Sequence, residues 1–128
     1  MIEPVYQYNR CGTIYSEEYL KDNKRHREDG PAYTGYYLNG QIRYEEYRIE
    51  GHVHRENGPA SIMYYDDGKY FSKEYRIDSN LHRLDGPACI FYHLNGAVEV
   101  EIYYIKGTQY FPSSLEDFKK LVKLMVFK

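Results

Sequence analysis

Tryptophan is absent from this chain of 128 residues, and cysteine occurs only twice, at Cys11 and Cys89. Two cysteines so far apart in sequence provide neither a disulfide framework nor the closely spaced ligands of a zinc motif. Each is most simply explained as a small apolar residue. Because few cysteines are typical of proteins from reducing compartments, we expect a cytoplasmic location.

Long hydrophobic runs are missing as well. Mean hydropathy is −0.77, and no stretch approaches the roughly 20 apolar residues of a transmembrane helix. Residues 1–5 contain neither a basic nor an apolar region, so we expect no secretory signal. Charge of one sign is not in excess either, because 17 basic and 19 acidic residues give a net charge of −2. This balance argues against a dedicated nucleic-acid binder.

Catalytic motifs are also absent. The sequence contains no glycine-rich phosphate loop, no nucleophile motif and no metal-binding pair on a helical pattern. Adjacent acids such as Glu45 and Glu46 are more typical of strand surfaces than of a catalytic pair. We therefore predict a protein that is not an enzyme and that needs no cofactor or metal ion.

The chain does contain a repeat. A block of the form His-Arg-x-Asp/Asn-Gly-Pro-Ala begins at His26, His54 and His82, so its period is 28 residues. Glycine keeps this period at positions 12, 40, 68 and 96, which adds a first unit without a block. A fixed period of this length indicates a repeat architecture. The units run at about 5–23, 24–51, 52–79 and 80–107.

Each full unit carries two turn signals. Asn39-Gly40, Asp67-Gly68 and Asn95-Gly96 predict two-residue hairpin turns, because these residues tolerate positive φ. The block predicts the second turn, in which we expect glycine to supply an unusual φ and proline to end strand pairing. The runs between the turns have strand length and strand composition. They predict eight strands, at about 5–10, 13–20, 32–38, 41–49, 60–66, 69–77, 88–94 and 97–105.

These elements predict an all-β fold, an antiparallel meander of tandem 28-residue β-hairpin repeats with one C-terminal α-helix. The helix is predicted at 113–127, where Ser113 and Glu116 fit a capping box. Its apolar residues recur at helical spacing: Leu115, Phe118, Leu121, Val122 and Met125. We expect residues 1–128 to be a single domain in which this helix caps the last repeat.

The predicted turns set the register of the strands, and the register indicates which residues share a face of the sheet. A two-residue turn at Asn39-Gly40 places Leu38 opposite Gln41 and Tyr36 opposite Arg43. On this register one face holds the most constant positions, which we expect to form the core: Ala32, Tyr36, Leu38, Tyr47 and Ile49, then Ala60, Ile62, Tyr64, Phe71, Tyr75 and Ile77, then Ala88, Ile90, Tyr92, Leu94, Tyr103 and Ile105. The other face becomes apolar in the last unit, at Cys89, Phe91, Val98, Val100 and Ile102. We expect the helix to cover that patch, and a membrane-surface role for its lysines is the alternative.

The block, the aromatic strand and the Asn-Gly turn together resemble the MORN-variant repeat proteins of giant DNA viruses, phages and some bacteria. The resemblance covers about residues 5–107. It implies an elongated, twisted array of β-hairpins, in agreement with the fold expected from the residues. It also implies a binding or scaffolding role, with counter-defence activity in a viral setting, and it brings no catalytic residues.

The His-Arg pairs are the first candidate binding site. Stacked along one edge of the array, they could hold phosphate or a partner rich in carboxylates. The alternative is a structural role, in which each arginine pairs with a nearby acid and each histidine packs beneath the loop. We favour the structural role, because a residue present in every unit usually meets a need that every unit has. The residues concerned are His26, Arg27, His54, Arg55, His82 and Arg83.

The second candidate site is the variable face, where tyrosines alternate with arginines. Its residues are Tyr33, Tyr37, Tyr44, Arg48, Tyr65, Tyr70 and Arg76. Such a face suits a protein partner or the stacking of single-stranded bases, and a solvated face with no partner is the plain alternative. The balanced charge favours protein over nucleic acid, and we expect no membrane contact.

We therefore predict a non-enzymatic repeat scaffold that binds another protein in the cytoplasm. The alternative is a small viral or phage inhibitor that blocks a host immune nuclease through its nucleic-acid-binding channel, in the host cytoplasm.

Overall fold

The computed structural model describes residues 2–126 and confirms an all-β fold with one C-terminal helix. Residues 127 and 128, which include the predicted end of the helix, lie outside the described part. The elements are β1 (Pro4–Tyr8), β2 (Ile14–Lys21), β3 (Lys24–Arg25), β4 (Tyr33–Tyr36), β5 (Ile42–Glu46), β6 (Arg48–Ile49), β7 (His52–Val53), β8 (Ser61–Tyr64), β9 (Tyr70–Glu74), β10 (Arg76–Ile77), β11 (Asn80–Leu81), β12 (Cys89–Tyr92), β13 (Val98–Ile105), β14 (Thr108–Tyr110) and α1 (Leu115–Val126).

The long strands form one antiparallel meander. Neighbours follow the order β1-β2-β4-β5-β8-β9-β12-β13-β14, and β3 pairs with β2. The eight predicted strands are all present, but several are shorter than expected. A small second hairpin forms at the end of each unit: β2 with β3, β6 with β7, β10 with β11, and β13 with β14. Of the short strands, β6 and β10 lie within the strands predicted at 41–49 and 69–77, whereas β3, β7, β11 and β14 were not predicted.

The small hairpins contain the two-residue turns. Both turn residues have positive φ, as a type I′ turn requires. The four turns are Asp22-Asn23, Glu50-Gly51, Asp78-Ser79 and Lys106-Gly107. They keep the 28-residue period, but only two of the four contain glycine. Their weak sequence signal is the reason why they were missed.

The predicted two-residue turn at Asn39-Gly40 is wrong. The Gly40 N–H donates to the Tyr37 carbonyl at 3.0 Å, and the Tyr37 N–H donates to the Gln41 carbonyl at 2.9 Å. The loop therefore has three residues, 38–40, of which Gly40 alone has positive φ. The predicted pairs of Leu38 with Gln41 and of Tyr36 with Arg43 do not form.

A β-bulge at Arg43 compensates for the longer loop. Gly35 lies opposite Tyr44, as the predicted register requires, but Tyr36 lies opposite Ile42 and not opposite Arg43. Arg43 is therefore an extra residue without a partner across the strand pair. The same bulge recurs in the later units, where Tyr64 pairs with Tyr70 and Tyr92 with Val98. Because opposed residues share a face, Tyr70 and Val98 lie on the face opposite to the one predicted.

The sheet buries small residues on both faces. We name the alanine face for Ala32, Ala60 and Ala88, which are fully buried, and the serine face for Ser16, Ser61 and Ser72, which are also buried. Ile62, Ile90 and Ile105 confirm the alanine face as the predicted core. Leu38 and Leu94 do not belong to it, because the three-residue loops leave them 74% and 66% exposed.

The helix packs on the alanine face and not on the predicted patch. Phe118 is fully buried, and its ring centroid lies 4.6 Å from that of Tyr103. Val98 and Val100 remain 49% and 41% exposed. The Ser113–Glu116 capping box is replaced by Ser114, whose hydroxyl accepts the Asp117 N–H at 3.1 Å. Within residues 2–126, no helix has the length and apolarity needed to cross a membrane.

Candidate functional site

Each histidine of the blocks accepts a hydrogen bond from a type I′ turn that lies 24 residues further along the chain. The Nδ1 atom of His26 accepts the backbone N–H of Glu50 at 2.8 Å, and Asp78 and Lys106 donate in the same way to His54 and His82, at 3.1 and 3.0 Å. Because a backbone N–H can only donate, Nδ1 must be unprotonated. The three histidines thus each hold the type I′ turn at the end of their own unit, which is a structural role within the array.

The guanidinium of each block arginine lies over the ring of a tyrosine from the preceding unit. Arg27, Arg55 and Arg83 place Cζ 4.0, 3.9 and 3.9 Å from the ring centroids of Tyr19, Tyr47 and Tyr75. Their Nη1 atoms donate to the carbonyls of the prolines of the same blocks at 3.1–3.3 Å. In two blocks Nε also donates to an aspartate, Asp29 or Asp85.

The glycine of each block makes room for this arginine. The expectation of an unusual φ is wrong, because Gly30, Gly58 and Gly86 do not have positive φ. A Cβ atom at these positions would instead lie 2.8, 3.1 and 3.0 Å from the Cζ atom of the arginine in the same block. Glycine is therefore needed for close approach rather than for backbone conformation.

The three His-Arg blocks form one edge of the array, which we name the block edge. Carboxylates are the most exposed charged groups on this edge. The side chains of Glu28, Asp29, Glu56 and Asp85 are 77–87% exposed, whereas those of Arg27 and Arg83 are 25% and 24% exposed. An open groove of about 550 Å³ between the first and second blocks is lined by Tyr47 and Ile49. A groove of about 590 Å³ between the second and third blocks is lined by Tyr75 and Ile77. This edge suits a basic partner better than phosphate.

A buried carboxylate organises the first half of the serine face. Glu46 accepts hydrogen bonds from Tyr44 at 2.6 Å, from Arg25 at 3.3 Å and from Arg48. Burial opposes its ionisation, but the Arg48 and Tyr44 hydrogen bonds keep the pKa of Glu46 lowered. Burial, with the hydrogen bond to Glu46, raises the pKa of Tyr44 to about 12. The Arg76 side chain makes the equivalent ion pair with Glu74 at 3.2 Å.

The predicted tyrosines of the variable face have separate roles. The Tyr37 hydroxyl donates to the Tyr64 carbonyl at 2.6 Å, and the Tyr65 hydroxyl donates to the Tyr92 carbonyl at 2.8 Å, so both link neighbouring units. The Tyr33 ring lies under the Arg25 guanidinium, and its centroid is 4.1 Å from Arg25 Cζ. Tyr70 lies on the alanine face, with Lys73 Nζ 3.9 Å from its ring centroid.

An apolar patch covers the second half of the serine face. We define it as Met63, Phe71, Phe91, Val100 and Ile102. The Phe71 and Phe91 rings meet edge to face at 6.4 Å, and Met63, Phe71 and Val100 are 38%, 36% and 41% exposed. Phe71 was predicted on the core face, and the bulge moves it to this side. No element in the described part of the chain covers the patch.

Among residues 2–126, no group of three His, Cys, Asp or Glu side chains is placed to hold a metal ion. Comparison of the chain with protein-family models, curated proteins and solved structures gave no match. Function is therefore inferred from the repeat and from the geometry of the two faces.

Proposed function

We propose that this chain is a non-enzymatic repeat scaffold that binds another protein through the apolar patch on its serine face. The observation that supports the proposal most is the position of the helix. Phe118 packs on the alanine face, so the helix that was expected to cover the patch lies on the opposite face of the sheet. Large exposed apolar patches with polar surroundings are typical of protein interaction sites.

The surroundings of the patch fit a protein interface. Phe71, Phe91 and Met63 belong to the residue types that are enriched at interface centres. Next to them lies the charged half of the face, where Glu46, Arg48 and Arg25 are already paired with one another. A partner therefore meets an apolar centre beside a prearranged polar border, which gives specificity more than affinity.

The repeat itself provides a test of this surface. Phe71 lies 28 residues after Arg43, so the fold tolerates arginine at this position, and Leu38 lies 28 residues before Asp66. We expect Phe71→Arg to weaken binding of a partner captured from lysate at least about tenfold, equivalent to 1.4 kcal/mol. Leu38→Asp, which changes a more exposed apolar residue outside the patch, is the matched control and should bind normally.

The lysate is treated with nuclease before capture. A partner that binds the Phe71→Arg variant as well as the unaltered chain would contradict the proposal. Recovery of nothing but RNA or DNA without nuclease, and of nothing after treatment, would contradict it too.

A second candidate function draws on the acidic block edge. Exposed carboxylates, at Glu28, Glu56 and Asp85, present negative charge on each of the three blocks. Such a row could occupy the basic nucleic-acid channel of a host immune nuclease, the counter-defence role that the MORN-variant resemblance implies. This mode of inhibition should weaken with salt and with Glu28→Gln plus Glu56→Gln, because charge attraction would drive it.

The glutamate substitutions should not disturb the fold. Leu84 occupies the same position in the third block, so the position has no structural need for an acid. Nuclease inhibition that is unaffected by both glutamate changes and by salt would exclude the charge-based mode.

A further inference from the structure

The ten-stranded sheet has two free edges. The outer edge of β1 and the outer edge of β13 from residue 98 to residue 102 have no neighbouring strand within residues 2–126. β14 pairs with β13 only from Tyr103 to Ile105. Unpaired strand edges are templates for the addition of another strand.

The inner junctions of the chain show which strand fits such an edge. In each one the second strand of a unit pairs with the first strand of the next unit, and the register is the same every time. The pairs are Glu18 with Tyr33, Glu46 with Ser61, and Glu74 with Cys89. One further step of 28 residues would pair Ile102 with residue 117. Residue 117 lies in α1, so the chain does not fill this position itself.

The other end of the array carries the matching edge. Val5 lies 28 residues before Tyr33, so the free edge of β1 corresponds to the edge of β4 that pairs with β2. We propose that copies of this chain associate head to tail, with β13 of one copy pairing antiparallel with β1 of the next. The inner register then places Ile102 opposite Val5, Glu101 opposite Tyr6, and Val100 opposite Gln7 of the second copy.

Side chains at the two edges repeat an inner contact. Inside the chain the Tyr64 hydroxyl donates to the Glu45 carboxylate across a junction. The corresponding residues at the free edges are Tyr8, which is 62% exposed, and Glu101, which is also exposed. Val5, 42% exposed, would add an apolar contact with Ile102. The two edges therefore complement each other in backbone register and in side chains.

The helix takes the place of the block that this junction lacks. At inner junctions the block of the later unit covers the tyrosine of the earlier unit, as Arg27 covers Tyr19. Phe118 takes that place over Tyr103. Because the first unit has no block in this sequence, β1 brings no block arginine to compete with Phe118 for the Tyr103 ring. A junction of this kind is heterologous, so an open assembly keeps one free edge at each end and should lengthen as concentration rises.

Proline at each edge tests the pairing. At an inner junction the Tyr75 N–H donates to the Ala88 carbonyl at 2.7 Å. Hydrogen-bonded pairs alternate with non-hydrogen-bonded pairs along an antiparallel ladder. The next hydrogen-bonded pair of this junction is therefore Lys73 with Ile90. By the 28-residue period, Lys73 corresponds to Glu101 at the free edge of β13, and Ile90 corresponds to Tyr6 at the free edge of β1. The N–H groups of Glu101 and Tyr6 therefore point outward. Tyr6→Pro and Glu101→Pro remove an outward donor each and spare the pairing within the chain.

Sedimentation of the two variants, alone and mixed, gives the decisive result. The unaltered chain should show an average mass that grows with concentration, and each proline variant alone should remain a single chain. An equimolar mixture should form a two-chain complex of twice the mass, because it contains one open β1 edge and one open β13 edge. A chain that stays single up to millimolar concentration, or a proline variant that still associates with itself, would overturn the proposal.

A second measurement covers the case in which proline unfolds the chain. In a Cys11→Ser, Cys89→Ala background, Val5→Cys with Ile102→Cys should give disulfide-linked multimers on mild oxidation, because these residues would be direct cross-strand neighbours. Val5→Cys with Val100→Cys, offset by two residues, is the matched control and should cross-link much less. Equal cross-linking of both pairs would reject the register. Phe71→Arg should leave the assembly unchanged, which separates this proposal from the partner surface.

Discussion

The Phe118 ring packs against the Tyr103 ring with centroids 4.6 Å apart, in the place that an arginine guanidinium takes over Tyr19, Tyr47 and Tyr75. Each unit thus leaves one tyrosine ring to be covered by whatever follows it. The first three rings are covered by the next block, and the fourth is covered by the helix. The helix is a cap because it replaces a missing block, not because it fills an apolar patch.

Removal of the Phe118 ring should therefore destabilise the protein strongly. We expect Phe118→Ala to lower the free energy of unfolding by about 3–5 kcal/mol, since it empties a fully buried site. Urea unfolding followed by tyrosine fluorescence measures this. Leu124→Ala, on the same helix at a position that is 68% exposed, should cost no more than about 0.5 kcal/mol. Equal costs for the two variants would contradict the capping role.

The glycine of the first block should be coupled to its arginine. In the unaltered chain Gly30→Ala should destabilise by about 1–2 kcal/mol, because the new Cβ would displace Arg27 from Tyr19 and from the Pro31 carbonyl. With Arg27→Ala already present, the same change should stabilise by about 0.4–1 kcal/mol, because alanine restricts the unfolded chain. A double-mutant cycle on unfolding free energies measures this coupling, and additive effects would refute it.

The stability of the last unit should depend on pH through His82, which binds the turn at Lys106. Burial, followed by the Lys106 charge, lowers the pKa of His82 from the usual 6.5. The unfolded chain then binds more protons than the folded chain, so the free energy of unfolding falls as pH decreases through 6.5. We expect His82→Asn to flatten this slope between pH 7.5 and 5.5, because its amide oxygen can accept the Lys106 N–H without titrating.

His52→Asn provides the control for this measurement, because His52 is exposed and does not accept a turn N–H as the block histidines do in the described structure. Urea midpoints at several pH values report the slopes. A slope that is equally steep in the His82→Asn variant and in the unaltered chain would contradict the assignment.

The period and the strands were accessible from the sequence because they depend on local patterns. Three blocks and four glycines at one spacing determine the order of hairpins, and buried Ala32, Ala60 and Ala88 confirm the expected core face. The structural role of the blocks was also the favoured interpretation. What the patterns could not reveal was the partner of each side chain, such as the Glu50 N–H that His26 binds 24 residues away.

The errors arose where two local structures have similar sequence signals. Asn39-Gly40 fits a two-residue turn as well as the end of a three-residue loop, and the bulge at Arg43 that follows the longer loop changes the face of Ile42 and its equivalents. Tyr70 and Val98 were misplaced for this reason, and with them the predicted patch. The position of the helix depended on packing against Tyr103, which no local pattern contains.

The small hairpins offer a last test of how turns are encoded. Glu50 has a φ of 48° at the first position of the type I′ turn, a conformation that glutamate adopts at a cost and asparagine tolerates. Glu50→Asn creates an Asn-Gly pair at a true two-residue turn, and we expect it to raise the free energy of unfolding by about 0.5–1 kcal/mol. Glu56→Asn removes the same charge from an exposed block position and should change stability by less than about 0.5 kcal/mol. Thermal and urea unfolding of both variants measure the difference, and an equal or smaller gain at Glu50 would show that strain in this turn does not limit stability.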